Sequence, residues 1–311
     1  MSNTLKADLW LLLVTMLAAI SWMFSKEAIL IMPPFLFTSL RFLLAGLLLG
    51  LFGFRQLKVL NWAQCSQAML VGSVFTLGMC LWIKGVNSGV SLSIGGFLIS
   101  LAVVIVPVFA KIFFQEKLPK STCFAMPIAA AGLAVLSLKS NIELASGQLY
   151  FIYSTLFFAF FFILNARAAN YHEHHVKGRK RISERVPALP LTAVSLLTVG
   201  FLSGCLSVAM EPWDALHNDF SMDVVKWVLA SAFIGTALRF FIQTYAQSLS
   251  SSSHGVVIMV VEPVWTAILA ALWFSEQLSD SDMLACLLIF LSLLVNRWSS
   301  IASLLKPRVL K

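Results

Sequence analysis

Apolar residues along this 311-residue chain fall into ten blocks, at 7–26, 34–53, 64–83, 90–114, 121–138, 147–167, 188–209, 225–246, 254–274 and 281–298. Each block is 18 to 25 residues long, which is what a helix needs to cross about 30 Å of hydrocarbon. The pattern predicts ten membrane-spanning helices. Most polar interruptions between them are short, as expected where neighbouring helices run antiparallel. The two longest are 168–187 and 210–224. Pro33, Pro34, Pro119, Pro187 and Pro190 stand at block starts or in the interruptions, where a proline gives up an N–H that has no helical partner.

The pattern also repeats. Residues 74–136 align without a gap on 234–296 at an offset of 160, with 14 of 63 positions identical. Among these are Thr76/Thr236, Ser91/Ser251, Ser93/Ser253, Gly95/Gly255, Phe114/Phe274 and Glu116/Glu276. Two copies, within 1–145 and 146–311, take five helices each. An odd number makes the second copy start from the opposite side, so the halves are inverted about an axis in the membrane plane. The expected fold class is an all-α membrane protein of ten transmembrane helices in two inverted five-helix repeats. Pairs of this kind bind a solute where the copies meet and open to either side in turn.

Composition agrees. Soluble chains hold about 45–50% apolar and about 25% charged residues; this one has 59% hydrophobic, 12% charged and mean hydropathy +0.88. The net charge of +8 does not indicate nucleic acid, because the basic residues cluster at block ends and in one loop. With the N-terminus in the cytoplasm, 16 Lys and Arg fall on that side, among them Lys6, Arg55, Lys111, Arg167 and Arg185. Lys26, Lys84, Lys139 and Lys226 fall on the other. Both termini are therefore expected in the cytoplasm of a bacterial-type plasma membrane. Cys65, Cys80, Cys123, Cys205 and Cys286 form no CxxC and read as small hydrophobes. The first block is too long and too poor in a small-residue cleavage site for a removable signal peptide, and is expected to stay as a helix.

At this point the chain resembles the EamA family of the drug/metabolite transporter superfamily. The resemblance is carried by Lys26 followed by Pro34, Arg41 and Phe42, by Pro107, Glu116 and Leu118 closing the fourth helix, and by Glu262, Pro263 and Val264 with Phe274, Glu276 and Leu278 closing the ninth. The chain departs from the family where a Trp-Gly pair is replaced by Ala18 and Ala19, and where a glycine before each repeat-end glutamate is replaced by Gln115 and Ser275. The resemblance implies a carrier of small metabolites, often amino acids or related compounds, frequently moved outward and often coupled to H+ or another ion. It also implies a central cavity between helices 1–4 and 6–9.

Several residues could serve such a cavity. Arg41 lies within the second block, where an unpartnered charge costs at least about 2.5 kcal/mol. It reads either as a cavity-facing cation or as a structural arginine bonded to helix-end carbonyls. Arg239 and Glu262 lie near mid-membrane, while Met79 and Ala102 occupy the matching places in the first copy. That asymmetry favours a site over a general folding role, although a permanently buried ion pair remains the alternative. Pro107 and Pro263 are expected to interrupt the fourth and ninth helices and free carbonyls near Val103 and Met259, as gating kinks or static bends. Lys26 could rim the mouth of the cavity. Trp22, Trp265 and Tyr245, with Trp82, Phe240 and Phe241, could line it.

His172, His174 and His175 beside Glu173 suggest a metal cluster, but their loop is basic, and a solvated connector is the preferred reading. No catalytic constellation, ATP-binding glycine loop, cofactor motif or metal site emerges. The expected partners are a small-molecule substrate, the lipid bilayer and H+ or another coupling ion, with a homodimer as a candidate assembly. A non-transporting receptor or scaffold and an intramembrane enzyme stand as alternatives to a secondary-active exporter working by alternating access.

Overall fold

In hydrocarbon each backbone N–H and C=O must find its partner within its own segment, so apolar blocks of spanning length fold as helices. The computed structural model describes residues 3–115, 120–139, 146–170, 172–176, 179–183, 185–212, 222–249, 261–296 and 298. In chain order these form α1 (Asn3–Ile29), α2 (Pro34–Phe52), α3 (Phe54–Leu57), α4 (Trp62–Asn87), α5 (Leu92–Ser100), α6 (Ala102–Phe114), α7 (Lys120–Lys139) and α8 (Ser146–Ala169). There follow β1 (His172–Val176), β2 (Arg179–Ser183), α9 (Ala188–Met210), α10 (Met222–Ala232), a π-helical segment (Phe233–Leu238), α11 (Arg239–Leu249), α12 (Glu262–Phe274) and α13 (Asp280–Asn296).

Among the described residues seven stretches are long and apolar enough to cross a membrane. Lys120–Val135 and Glu262–Phe274 are shorter apolar helices. The expected blocks reappear with ends shifted by at most four residues, apart from the ninth, whose described part begins at Val261. One expectation needs amending: the interruption at 168–187 is not wholly irregular but contains the antiparallel hairpin β1–β2. The side chains of His172, Glu173, His174 and His175 lie outside the described residues, as do Glu116, Ser251, Ser253 and Gly255.

Helix pairing follows the repeat. α2 packs on α9, α5 on α12 and α7 on α13; each pair joins helices in corresponding places of the two halves. α4 packs on α8 as α10 and α11 pack on α1, and α1 packs on α12 as α8 packs on α5 and α6. Large apolar side chains such as Leu51, Phe52 and Leu272, each more than three-quarters exposed, point away from the bundle, where lipid would cover them. Phe37, Phe42, Phe151 and Leu98 are buried in its core.

Pro107 stands differently from expectation, whereas the turns before Pro263, 254–260, lie outside the described residues. The fourth span breaks at Leu101, between α5 and α6, and α6 continues through Pro107. The carbonyl that Pro107 leaves without its helical donor, Val103 O, instead accepts from Asn296 Nδ2 at 2.9 Å. Asn296 in turn accepts from Thr122 at 2.7 Å, so this bend is wired to α7 and α13. Pro263 lies in the first turn of α12 rather than interrupting a helix within the described residues. Met259 lies outside them.

Gln115 and Ser275 end α6 and α12 with φ of 56° and 54°. A left-handed conformation costs a residue with a Cβ about 1–2 kcal/mol, which is the physical reason a glycine suits these two places.

The α2–α9 crossing depends on reciprocal glycines. A Cβ on Gly46 would stand 2.8 Å from the backbone N of Leu197, and one on Gly200 would stand 2.6 Å from the backbone N of Leu43. Ser39 also donates to Gly200 O at 2.8 Å. Small residues let membrane helices approach this closely. Gly46→Ala and Gly200→Ala should each destabilise the purified protein by about 1–3 kcal/mol. Gly50→Ala, which would meet only the Leu57 side-chain tip at 3.7 Å, should leave the detergent melting temperature nearly unchanged.

Candidate functional site

A cavity of about 50 Å³ lies where the halves meet, lined by residues of α1, α2, α4 and α5 from one half and α8, α11 and α12 from the other. It has room for a few water molecules. Its polar wall is Ser21, Arg41, Arg239, Gln243 and Glu262. The rest is mainly aromatic, with Trp22, Trp82, Phe75, Phe158, Phe161 and Phe240. Phe75 stacks on Phe161 with centroids 4.2 Å apart and meets Phe240 edge-on at 5.1 Å.

Arg41 enters from α2 and is 1% exposed. Its Nε donates to Thr236 Oγ1, Nη1 to Ser25 Oγ at 2.7 Å, and Nη2 to Ser21 Oγ at 2.6 Å and Gly235 O at 3.4 Å. The two serines are four residues apart on α1 and so share one face. Thr236 and Gly235 belong to the π segment, where Thr236 Oγ1 also donates to Ser231 O, five residues back, at 2.8 Å. Arg41 therefore bonds chiefly to hydroxyls, while it also lines the cavity.

Arg239 opens α11 directly after the π segment, and Glu262 opens α12. Arg239 Nη2 lies 3.6 Å from Glu262 Oε1. That is an ion pair beyond hydrogen-bond reach. Among the described residues the buried Arg239 Nε and Gln243 Oε1 have no partner. Trp22 shares the cavity wall with Glu262, and its ring packs edge-on against Trp82 at 4.9 Å.

Other sequence candidates lie elsewhere. Trp265 is three residues beyond Glu262 but off the cavity wall, and its Nε1 is buried without a partner. Tyr245 is 43% exposed and stacked on Phe241. Pro107 and Pro263 contribute nothing to the wall.

Lys26 belongs to a closure at one end of the bundle. Its Nζ lies 3.3 Å from Glu276 Oε1 and 4.6 Å from the Phe274 ring centroid. Glu276 caps the start of α5, accepting from Leu92 N at 2.9 Å, Ser91 Oγ at 2.8 Å and Ser93 Oγ at 3.1 Å. At the same end Glu211 caps α2 through Phe35 N at 2.6 Å and Leu36 N at 2.9 Å, and Trp273 donates to Glu27 at 2.9 Å. Carboxylates suit these positions because helix starts present unpaired N–H groups.

Sequence reasoning singled out neither Ser21, Ser25 nor Gln243, nor the capping role of Glu276. The signals were present as spacing. Thr236, Arg239 and Gln243 recur at three and four residues, and Ser91 and Ser93 repeat together with the glutamate.

Comparison with known proteins now bears on this geometry. The sequence profile of the EamA-like transporter family matches residues 5–138 and again 145–298. A protein of Archaeoglobus fulgidus called an uncharacterized transporter is 22% identical over 291 residues, covering 94% of this chain and 85% of that protein. A solved structure, described only as a crystal structure of a protein, shares the fold with TM-score 0.66 at 17% identity, over 96% of this chain and 98% of its own. The chain belongs to the EamA-like transporter family, part of the drug/metabolite transporter superfamily, and is a multi-pass membrane protein.

Partial burial pushes the Glu276 carboxyl up, but hydrogen bonds from Leu92 and Ser91 and the charge of Lys26 outweigh it and hold the group below its ordinary 4.5. A depressed carboxyl stabilises the closed end above its ordinary value and loses that contribution as pH falls through the lowered one. Wild-type melting temperature should therefore drop below about pH 4.5. Glu276→Gln should melt lower at neutral pH and show a flatter acid limb.

Proposed function

We propose that this EamA-like protein is a secondary-active carrier that exports small metabolites, such as amino acids or related compounds, by alternating access. Its ten spans form two inverted halves, 1–145 and 146–311, in a bacterial-type plasma membrane with both termini in the cytoplasm. The observation that carries this reading is the position of the polar cavity. It lies between the halves, walled by helices of both, and it gathers Arg41, Arg239, Gln243 and Glu262 on one wall. Corresponding pairings on either side of it give the bundle two ways to rock about one site.

At about 50 Å³ the cavity has room for a few waters only, so a metabolite is admitted only when the halves part. Among the described residues the Lys26–Glu276 end is tied in this conformation. Arg239 and Glu262 supply the polarity. When the halves part and water reaches the loose 3.6 Å pair, Glu262 is free to take up a proton. That gives the carrier a route to H+ coupling. The buried Arg41 orients α1, α2 and the π segment around them.

Counterflow of labelled amino acids and related acids in proteoliposomes tests the proposal. Substrate-dependent exchange that needs the folded carrier is the expected result. Glu262→Gln should express normally and flatten the dependence of transport between about pH 5 and about pH 9. An unaltered pH profile would show that Glu262 does not titrate in the cycle, and absence of exchange across the panel would contradict carriage itself.

A further inference from the structure

We propose that the cavity takes a cargo with one net negative charge on an apolar or aromatic body, a monocarboxylate lacking an ammonium group. This rests on the carrier reading above and narrows its substrate class from amino acids to related acids without an ammonium group.

Charge balance comes first. Among the described residues the ionised side chains on the cavity wall are Arg41, Arg239 and Glu262, two cations against one anion. Arg41 meets hydroxyls and a carbonyl but no carboxylate. Arg239 lines the same small cavity as Arg41. One positive charge is therefore left without a counter-ion deep within the bundle, where such a charge is costly. A monoanion cancels it. A zwitterion or neutral solute leaves it in place, and a cation adds to it.

The shape of the donor set comes second. Nε and Nη2 form the edge of a guanidinium that grips a carboxylate with two parallel bonds. Here Glu262 touches that edge only through Nη2, at 3.6 Å, and Nε is buried and unpartnered. A carboxylate in the cavity can complete it without displacing Glu262. An ammonium group would need Glu262 for itself and would have to draw it from Arg239. The aromatic wall favours an apolar body, and Gln243 on the same wall carries an amide oxygen with no partner among the described residues.

Outward passage of such an anion runs down an inside-negative potential. The bias is about fiftyfold per 100 mV, and it adds to any drive from a coupled proton.

Four compounds on one skeleton test this with the full chain in nanodiscs and proteoliposomes: N-acetylphenylalanine (anion), phenylalanine (zwitterion), N-acetylphenylalaninamide (neutral) and phenylalaninamide (cation). The anion should bind at least about tenfold tighter than the others, and its transport should carry one negative charge per molecule. Arg239→Gln should abolish the preference, and Glu262→Gln should keep it. Phenylalanine binding as tightly as its N-acetyl form would overturn the inference, as would an unchanged preference in folded Arg239→Gln. Failure of N-acetylphenylalanine to bind would do the same. If unmodified amino acids still exchange in that case, the carrier reading stands; if nothing exchanges, both fall.

Discussion

A guanidinium buried in a membrane bundle without a carboxylate partner constrains everything around it. Arg41 is satisfied only if α1 turns Ser21 and Ser25 towards it and the second half brings Thr236 and Gly235 into reach. Those demands tie together three helices from two halves. The π winding of 233–238 fits the same requirement, because a wide turn leaves a carbonyl such as Gly235 O free to accept from outside its own helix. It also inserts a residue into the helical register. The face of α11 that carries Arg239 and Gln243 is thereby rotated onto the cavity.

The tied end shows how the same carboxylate chemistry can hold a bundle shut and still let go. Glu276 and Glu211 each reach across to cap a helix of the other half, satisfying N–H groups that would otherwise be orphaned. Such caps are strong when the end is dry and replaceable by water when it is wet. The reciprocal glycines of α2 and α9 give the two halves a close-packed contact.

Much of this could be read from residue order, and the failures have physical causes. Helix positions followed from block length because hydrocarbon leaves the backbone one solution. That Arg239 and Glu262 lie close was legible as two opposite charges at similar depth in neighbouring spans, but whether they pair was not. The bend at Leu101 was not, because Pro107 is the conspicuous breaker. Its freed carbonyl is claimed by Asn296, 193 positions away, a partner that no local rule supplies. The hairpin in 172–183 was hidden by a run of polar residues that also suits a loop. Tyr245 was chosen by residue type, but its helix turns it outward. Ser21, Ser25 and Gln243 were overlooked because single small polar residues in apolar helices draw little notice until a charge is seen to need them.

The central claim is that two five-span halves thread the membrane in opposite senses around the cavity. Lys120 and Asp280 occupy matching places in the repeat, and both are exposed. Single cysteines at these positions, in a background with the five native cysteines replaced, can be probed with an impermeant maleimide on sealed vesicles of known sidedness. The account predicts that position 280 reacts only from the outer face and position 120 only from the cytoplasmic face. Reaction of both from the same face would contradict it.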